Sequence, residues 1–167
     1  MQIATITTRY DAIEDRILLA VADADDIQAR LWLTRRMTQR LVAALVDGVQ
    51  RQIAEPPAAR AEVKVAALAA ANVYAQLQAR ISKKPAPPVE PPSAAPQHLI
   101  QEIGVRNGRN GARILEFRCR DRGPATLMLS LTEQRQWLES LKSACGAAHW
   151  ALDVWPGWMA PGAQDGE

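Results

Sequence analysis

The order strand, turn, strand, helix occurs twice in this chain of 167 residues, and that recurrence constrains the fold more than any single motif. In the first occurrence residues 16–23 form an apolar run of strand length, residues 23–27 carry turn chemistry, and residues 28–34 place Leu31 and Leu33 on one face of a second strand. Thr34 suits a helix N-cap, and Met37, Leu41, Leu45 and Val49 recur every four residues along a helix expected to reach Ile53, where Glu55-Pro56-Pro57 ends it. The second occurrence has a strand over 112–120, a turn holding Gly123-Pro124, a strand over 126–131 and a helix started by Thr132-Glu133. Its apolar face is Trp137, Leu138, Leu141 and Cys145. The letters echo as well: Arg16-Ile17-Leu18 answers Arg113-Ile114-Leu115, and Leu33-Thr34 answers Leu131-Thr132. Residues 3–12, β-branched and then polar, predict a further strand ahead of the first unit.

Two inserted segments separate the units. Residues 58–82 predict a helix in which Val63, Ala67, Ala70, Tyr74, Leu77 and Ile81 step by four and three, a heptad seam with alanine at two core positions. Two readings of the seam compete: antiparallel packing on the helix over 35–53, or a homodimer with a second copy. Residues 83–97 are proline-rich, with polyproline II character and no capacity to pack a core, so they read as a spacer. The expected fold is therefore α+β: residues 1–57 as a first half, the helix 58–82, the linker 83–97, and residues 98–167 as a second half. Their strands would form one antiparallel sheet or a small sandwich.

Catalytic signatures do not appear. His98 and His149 lack a neighbouring ligand or nucleophile pattern, and the Asn-Gly pairs at 107–108 and 110–111 read as hairpin-turn chemistry rather than a phosphate cradle. Asp23, Asp25 and Asp26 cluster in a turn without the spaced oxygen ligands of a calcium loop. No metal or cofactor is expected, and the chain reads as non-catalytic. The two cysteines, Cys119 and Cys145, have no metal-ligand spacing and read as reduced thiols. With no basic-then-apolar leader at the N-terminus and no run near the roughly 20 apolar residues of a membrane span, the expected location is the cytoplasm.

Net charge is only +2, so the information lies in where the charges fall. Residues 11–26 are acidic, whereas Arg106, Arg109, Arg113, Arg118, Arg120 and Arg122 make the segment 106–122 basic. Arg35 and Arg36, with Arg40 one turn on, occupy a helix start where the macrodipole disfavours cations. Near the C-terminus Trp150, Trp155, Trp158 and Met159 gather large apolar surface into ten residues. The expected function is an accessory or assembly protein binding another protein through that tryptophan arm and Arg35, Arg36 and Arg40. A last arm folding back on the chain's own core is the competing reading of the tryptophans. The alternative function is nucleic-acid binding by the arginines of 106–122.

Overall fold

The computed structural model describes residues 1–51, 61–82 and 87–159. Seven strands form one mixed sheet: β1 (Gln2–Ile3), β2 (Thr5–Asp11), β3 (Arg16–Ala22), β4 (Gln28–Leu33), β5 (Gln97–Asn107), β6 (Arg113–Cys119) and β7 (Arg122–Leu129). The order across the sheet is β1-β7-β6-β5-β4-β3-β2. The described residues also form three α-helices, α1 (Arg35–Arg51), α2 (Ala61–Ser82) and α3 (Leu131–Ala147). The class is α+β.

Three features differ from the sequence expectation. The sheet is mixed, because β4 runs parallel to β5 and β1 parallel to β7, so neither a wholly antiparallel sheet nor a sandwich describes it. The second unit has a strand that the sequence reading did not place, β5, so both units run three strands into a helix, β2-β3-β4-α1 and β5-β6-β7-α3. The first predicted strand is also split at Ala4: β1 pairs with β7 while β2 pairs with β3, so one short N-terminal segment reaches both ends of the strand order. The amino terminus donates to the Pro124 carbonyl, and Thr126 N–H donates to the Met1 carbonyl.

One face of the sheet and the two helices enclose the core. Ile17, Leu19 and Val21 of β3, Leu31 and Leu33 of β4, Leu115 and Phe117 of β6 and Leu127 of β7 are buried against α1 and α3. Their period of two matches alternation along a strand. From α1 come Leu41, Val42, Leu45 and Val49, the spacing read from the sequence, with Met37 half-buried at the rim. From α3 come Trp137, Leu138, Leu141 and Cys145, again as the sequence predicts. Helix α3 is capped two residues earlier than expected: Ser130 Oγ accepts from Glu133 N–H, and the Glu133 carboxylate accepts from Ser130 N–H. Each fully buried leucine contributes roughly 1.5–3 kcal/mol relative to exposure. The predicted end of the first helix, 52–57, lies outside the described residues.

β3 is buried on both faces, which corrects the reading of the proline tract. Its outward residues Ala20 and Ala22 pack on Val89, and Pro91 and Ala95 are buried too. Arg30 fastens this covering by donating to the Pro92 carbonyl at 2.8 Å and to the Pro91 carbonyl at 2.5 Å, and Val89 N–H donates to Thr7 Oγ1 at 2.8 Å. Proline-rich chain cannot donate many backbone bonds, but its carbonyls accept, and an arginine fork supplies the donors. Residues 87–96 are thus a layer of the fold and not a spacer. Residues 83–86 of the tract lie outside the described residues.

Candidate protein-docking site

Helix α2 lies on α3 and on the 3-10 turn Gly157–Met159, not on α1 as one sequence reading expected. The face it turns inward carries Leu68, Asn72 and Ala75, the middle one polar. Side-chain hydrogen bonds join the burial of Leu68 and Ala75 in holding it. Asn72 Nδ2 donates to the Glu139 carboxylate at 3.0 Å, Gln76 Nε2 to the Arg135 carbonyl at 3.2 Å, and Gln136 Nε2 to the Ala75 carbonyl at 3.2 Å. Arg135 is almost wholly buried; its guanidinium donates to the Leu68 carbonyl at 3.3 Å and sits 5.7 Å from the centroid of the Trp158 ring. Burial lowers its pKa, since the charged form loses hydration that a carbonyl and a ring face only partly replace.

The opposite face of α2 is the heptad seam. Val63 is 58% exposed, Tyr74 63% and Leu77 49%, and Ala67 and Ala70 between them are exposed as well. Val73, 67% exposed, widens the stripe. At 100° per residue these positions point away from Leu68, Asn72 and Ala75. The side chain of Ile81, the last seam position, lies outside the described residues. From Val65 to Ala79 the helix carries no charged residue at all. A solvent-facing helix surface normally carries charge; α2 buries Leu68 and Ala75 beside Asn72, yet also leaves valine, tyrosine and leucine against water.

The chain matches no protein-family model, no curated protein and no solved structure.

The geometry redistributes the residues singled out from the sequence. Trp150, Trp158 and Met159 are buried in the chain's own core, and Trp155 is partly buried against it, so the arm folds back on its own fold. Trp150 meets Tyr10 edge to face at 5.9 Å, and the Met159 carbonyl accepts from the Lys142 ammonium. Trp158 instead supports α2 through Arg135. Arg35 donates to the Ala151 carbonyl at 3.0 Å, tying α1 to that arm, while Arg36 and Arg40 stay exposed.

The two charged segments are each divided between opposite ends of the sheet. Asp11, Glu14 and Asp15 flank or form the β2–β3 turn, and Asp23, Asp25 and Asp26 the β3–β4 turn, at the other end of β3. The first acid of each set closes its turn: Asp11 Oδ1 accepts from Ile13 and Glu14 N–H, and Asp23 Oδ1 from Asp25 and Ile27 N–H. Among the basic residues, Arg106 and Arg118 pair with Glu116, at 3.4 and 2.6 Å, and Arg118 also with Glu102 at 2.9 Å. Arg113 is turned inward, with its guanidinium over Gly48 of α1 where a Cβ would meet it at 2.5 Å. Arg109, Arg120 and Arg122 are separated along the hairpins, Arg109 at the β5–β6 turn and the others at the β6–β7 turn. The β5–β6 connection is a tight turn with Asn110 and Gly111 at positive φ, as the Asn-Gly chemistry predicts. His98 Nδ1 lies 3.0 Å from the Asp121 carboxylate, and this hydrogen bond holds the Asp121 carboxyl below its usual range.

No sequence signal marked which face of α2 turns outward; periodicity gives a stripe and not its direction. One signal for the docked proline layer was present: β3 is apolar at every position from Ile17 to Ala22, the pattern of a strand covered on both sides.

Proposed function

We propose that this chain is a non-catalytic accessory or assembly protein, acting in the cytoplasm, that binds another protein through the outward face of α2. The observation that carries this reading is the apolar outward face of α2: Val63, Val73, Tyr74 and Leu77 face solvent, and residues 65–79 carry no charge. Contiguous exposed apolar surface of this kind marks interaction sites, and an amphipathic helix face meeting a partner groove or helix is a recurrent mode of recognition. The free thiols of Cys119 and Cys145 fit a reducing compartment. In this reading the tryptophan arm is a support rather than a contact, because Trp158 and Arg135 fix the inner side of α2. Arg36 and Arg40 stand as a second, charged surface that steers an acidic partner. The two three-strand-and-helix units act as a pseudo-repeat that builds the platform.

Nucleic-acid binding by 106–122 is the weaker reading, since Arg106 and Arg118 are already paired with carboxylates. Residue-specific photocrosslinking tests the proposal. A benzoylphenylalanine at Val73 should give one adduct of defined mass with a protein, and Leu77→Glu should suppress it. The same label at Ala43, exposed on α1, should give none. Equal labelling from both positions, or none from either, would remove α2 as the docking face.

A further inference from the structure

We infer that the occupant of this α2 face is a second copy of the chain, with the two helices antiparallel about a two-fold axis at Ala70. This rests on the proposed docking role of α2 and names its partner.

The seam is self-complementary in that orientation and in no parallel one. With Ala70 opposite Ala70, the antiparallel register sets Val63 against Leu77 and Ala67 level with Val73, which brings Tyr74 within one residue of Ala67, a small residue beside the largest one. Such alternation lets two helices approach closely without a void, and a two-fold contact uses one patch twice. In a parallel register Tyr74 would meet Tyr74 and Ala67 would meet Ala67, overfilling one layer and emptying another. Charge agrees: residues 65–79 are uncharged, so two copies meet without like-charge repulsion, and the stripe offers a charged partner nothing to pair with. Area agrees too. Full burial of the exposed side chains of the stripe would remove at most roughly 500 Å² per copy, so a pair could remove up to about 1,000 Å², the threshold a specific contact has to clear. The inner face of α2 is occupied by α3 and stays so in the pair.

The test uses the full chain with Cys119→Ser as background; Cys145 is buried and remains. Sedimentation should show a dimer, and Tyr74→Glu should weaken it by at least about ten-fold, because the charge would be buried unpaired. Disulfide trapping then reads the register, since a bond requires Cβ atoms about 4 Å apart. Ala70→Cys should link to itself, Tyr74→Cys alone should not, and a mixture of Ala67→Cys with Tyr74→Cys should link. Self-linking of Tyr74→Cys would overturn the antiparallel register. A monomer at every concentration overturns the pairing of copies. If the Val73 probe then still gives its adduct, a different protein occupies the face; if it gives none, the docking reading falls as well.

Discussion

Helices α1 and α2 both pack on α3, yet they treat it in opposite ways. Helix α1 presents Leu41, Val42, Leu45 and Val49 inward and leaves Arg36, Arg40 and Asp47 in water. Helix α2 presents Asn72 and Gln76 inward, bonded to Glu139 and to a backbone carbonyl, and leaves its valines, Tyr74 and Leu77 in water. Burial against the sheet stabilises α1 by the transfer of aliphatic side chains. Helix α2 is held by the burial of Leu68 and Ala75 together with amide hydrogen bonds, and the bonds contribute only about 0.5–1.5 kcal/mol each because water competes for the same groups. The first helix belongs to the core; the second is displayed on it.

The contrast is sharpest for matched leucines. Leu45→Ala in α1 should cost about 2–5 kcal/mol, since it empties a wholly buried site. Leu77→Ala in α2 should change the stability of the single chain by no more than about 0.5 kcal/mol. Urea unfolding of both variants decides it, at protein concentrations low enough to dissociate any pair. A severe loss from Leu77→Ala would mean that the outward face is covered within the chain.

Arg135 is the next point of leverage, because it joins α3, α2 and the C-terminal arm at once. Arg135→Ala removes a hydrogen bond and a ring contact and leaves space, and should cost about 1–3 kcal/mol. Arg135→Met fills that space without a desolvated charge and should restore most of the loss. Tryptophan fluorescence should report the change through Trp158. Equal destabilisation by both variants would show that the charge itself, rather than the packing, anchors α2.

The smallest effect concerns Cys145, on the core side of α3. Burial pushes its thiol up to about 11. The folded state therefore holds this proton more tightly than the unfolded chain, whose thiols ionise near ~8.5. The contribution is complete below about pH 8.5 and is lost as pH rises toward 11. At pH 8 on the order of a thousandth of Cys145 is thiolate, so alkylation followed by mass spectrometry should mark the half-buried Cys119 first. Prompt labelling of Cys145 in native protein would show that this side of α3 opens to solvent.

Much of the local structure was legible from residue order. The spacing Leu41, Leu45, Val49 located α1, Trp137, Leu138 and Leu141 located the buried face of α3, and Asn110-Gly111 located a hairpin turn, because each depends on neighbours within a few residues. Contacts between distant residues were not legible. Nothing near Val89 reveals Ala20 and Ala22, and nothing near Trp158 reveals Arg135. The tryptophan arm shows the cost: dense aromatic sequence suits an exposed anchor and a core equally well, and only the burial of Trp150 and Trp158 separates them.

The seam on α2 marks the same boundary. By itself the sequence determined that Val63, Ala67, Ala70, Tyr74 and Leu77 form an apolar helical stripe of period three and a half, since periodicity is a property of the chain alone. Only the tertiary structure decided that this stripe points away from the protein. Arg135, Gln136 and Glu139 of α3 offer hydrogen-bonding groups to α2, and the face able to answer them was the one carrying Asn72 and Gln76.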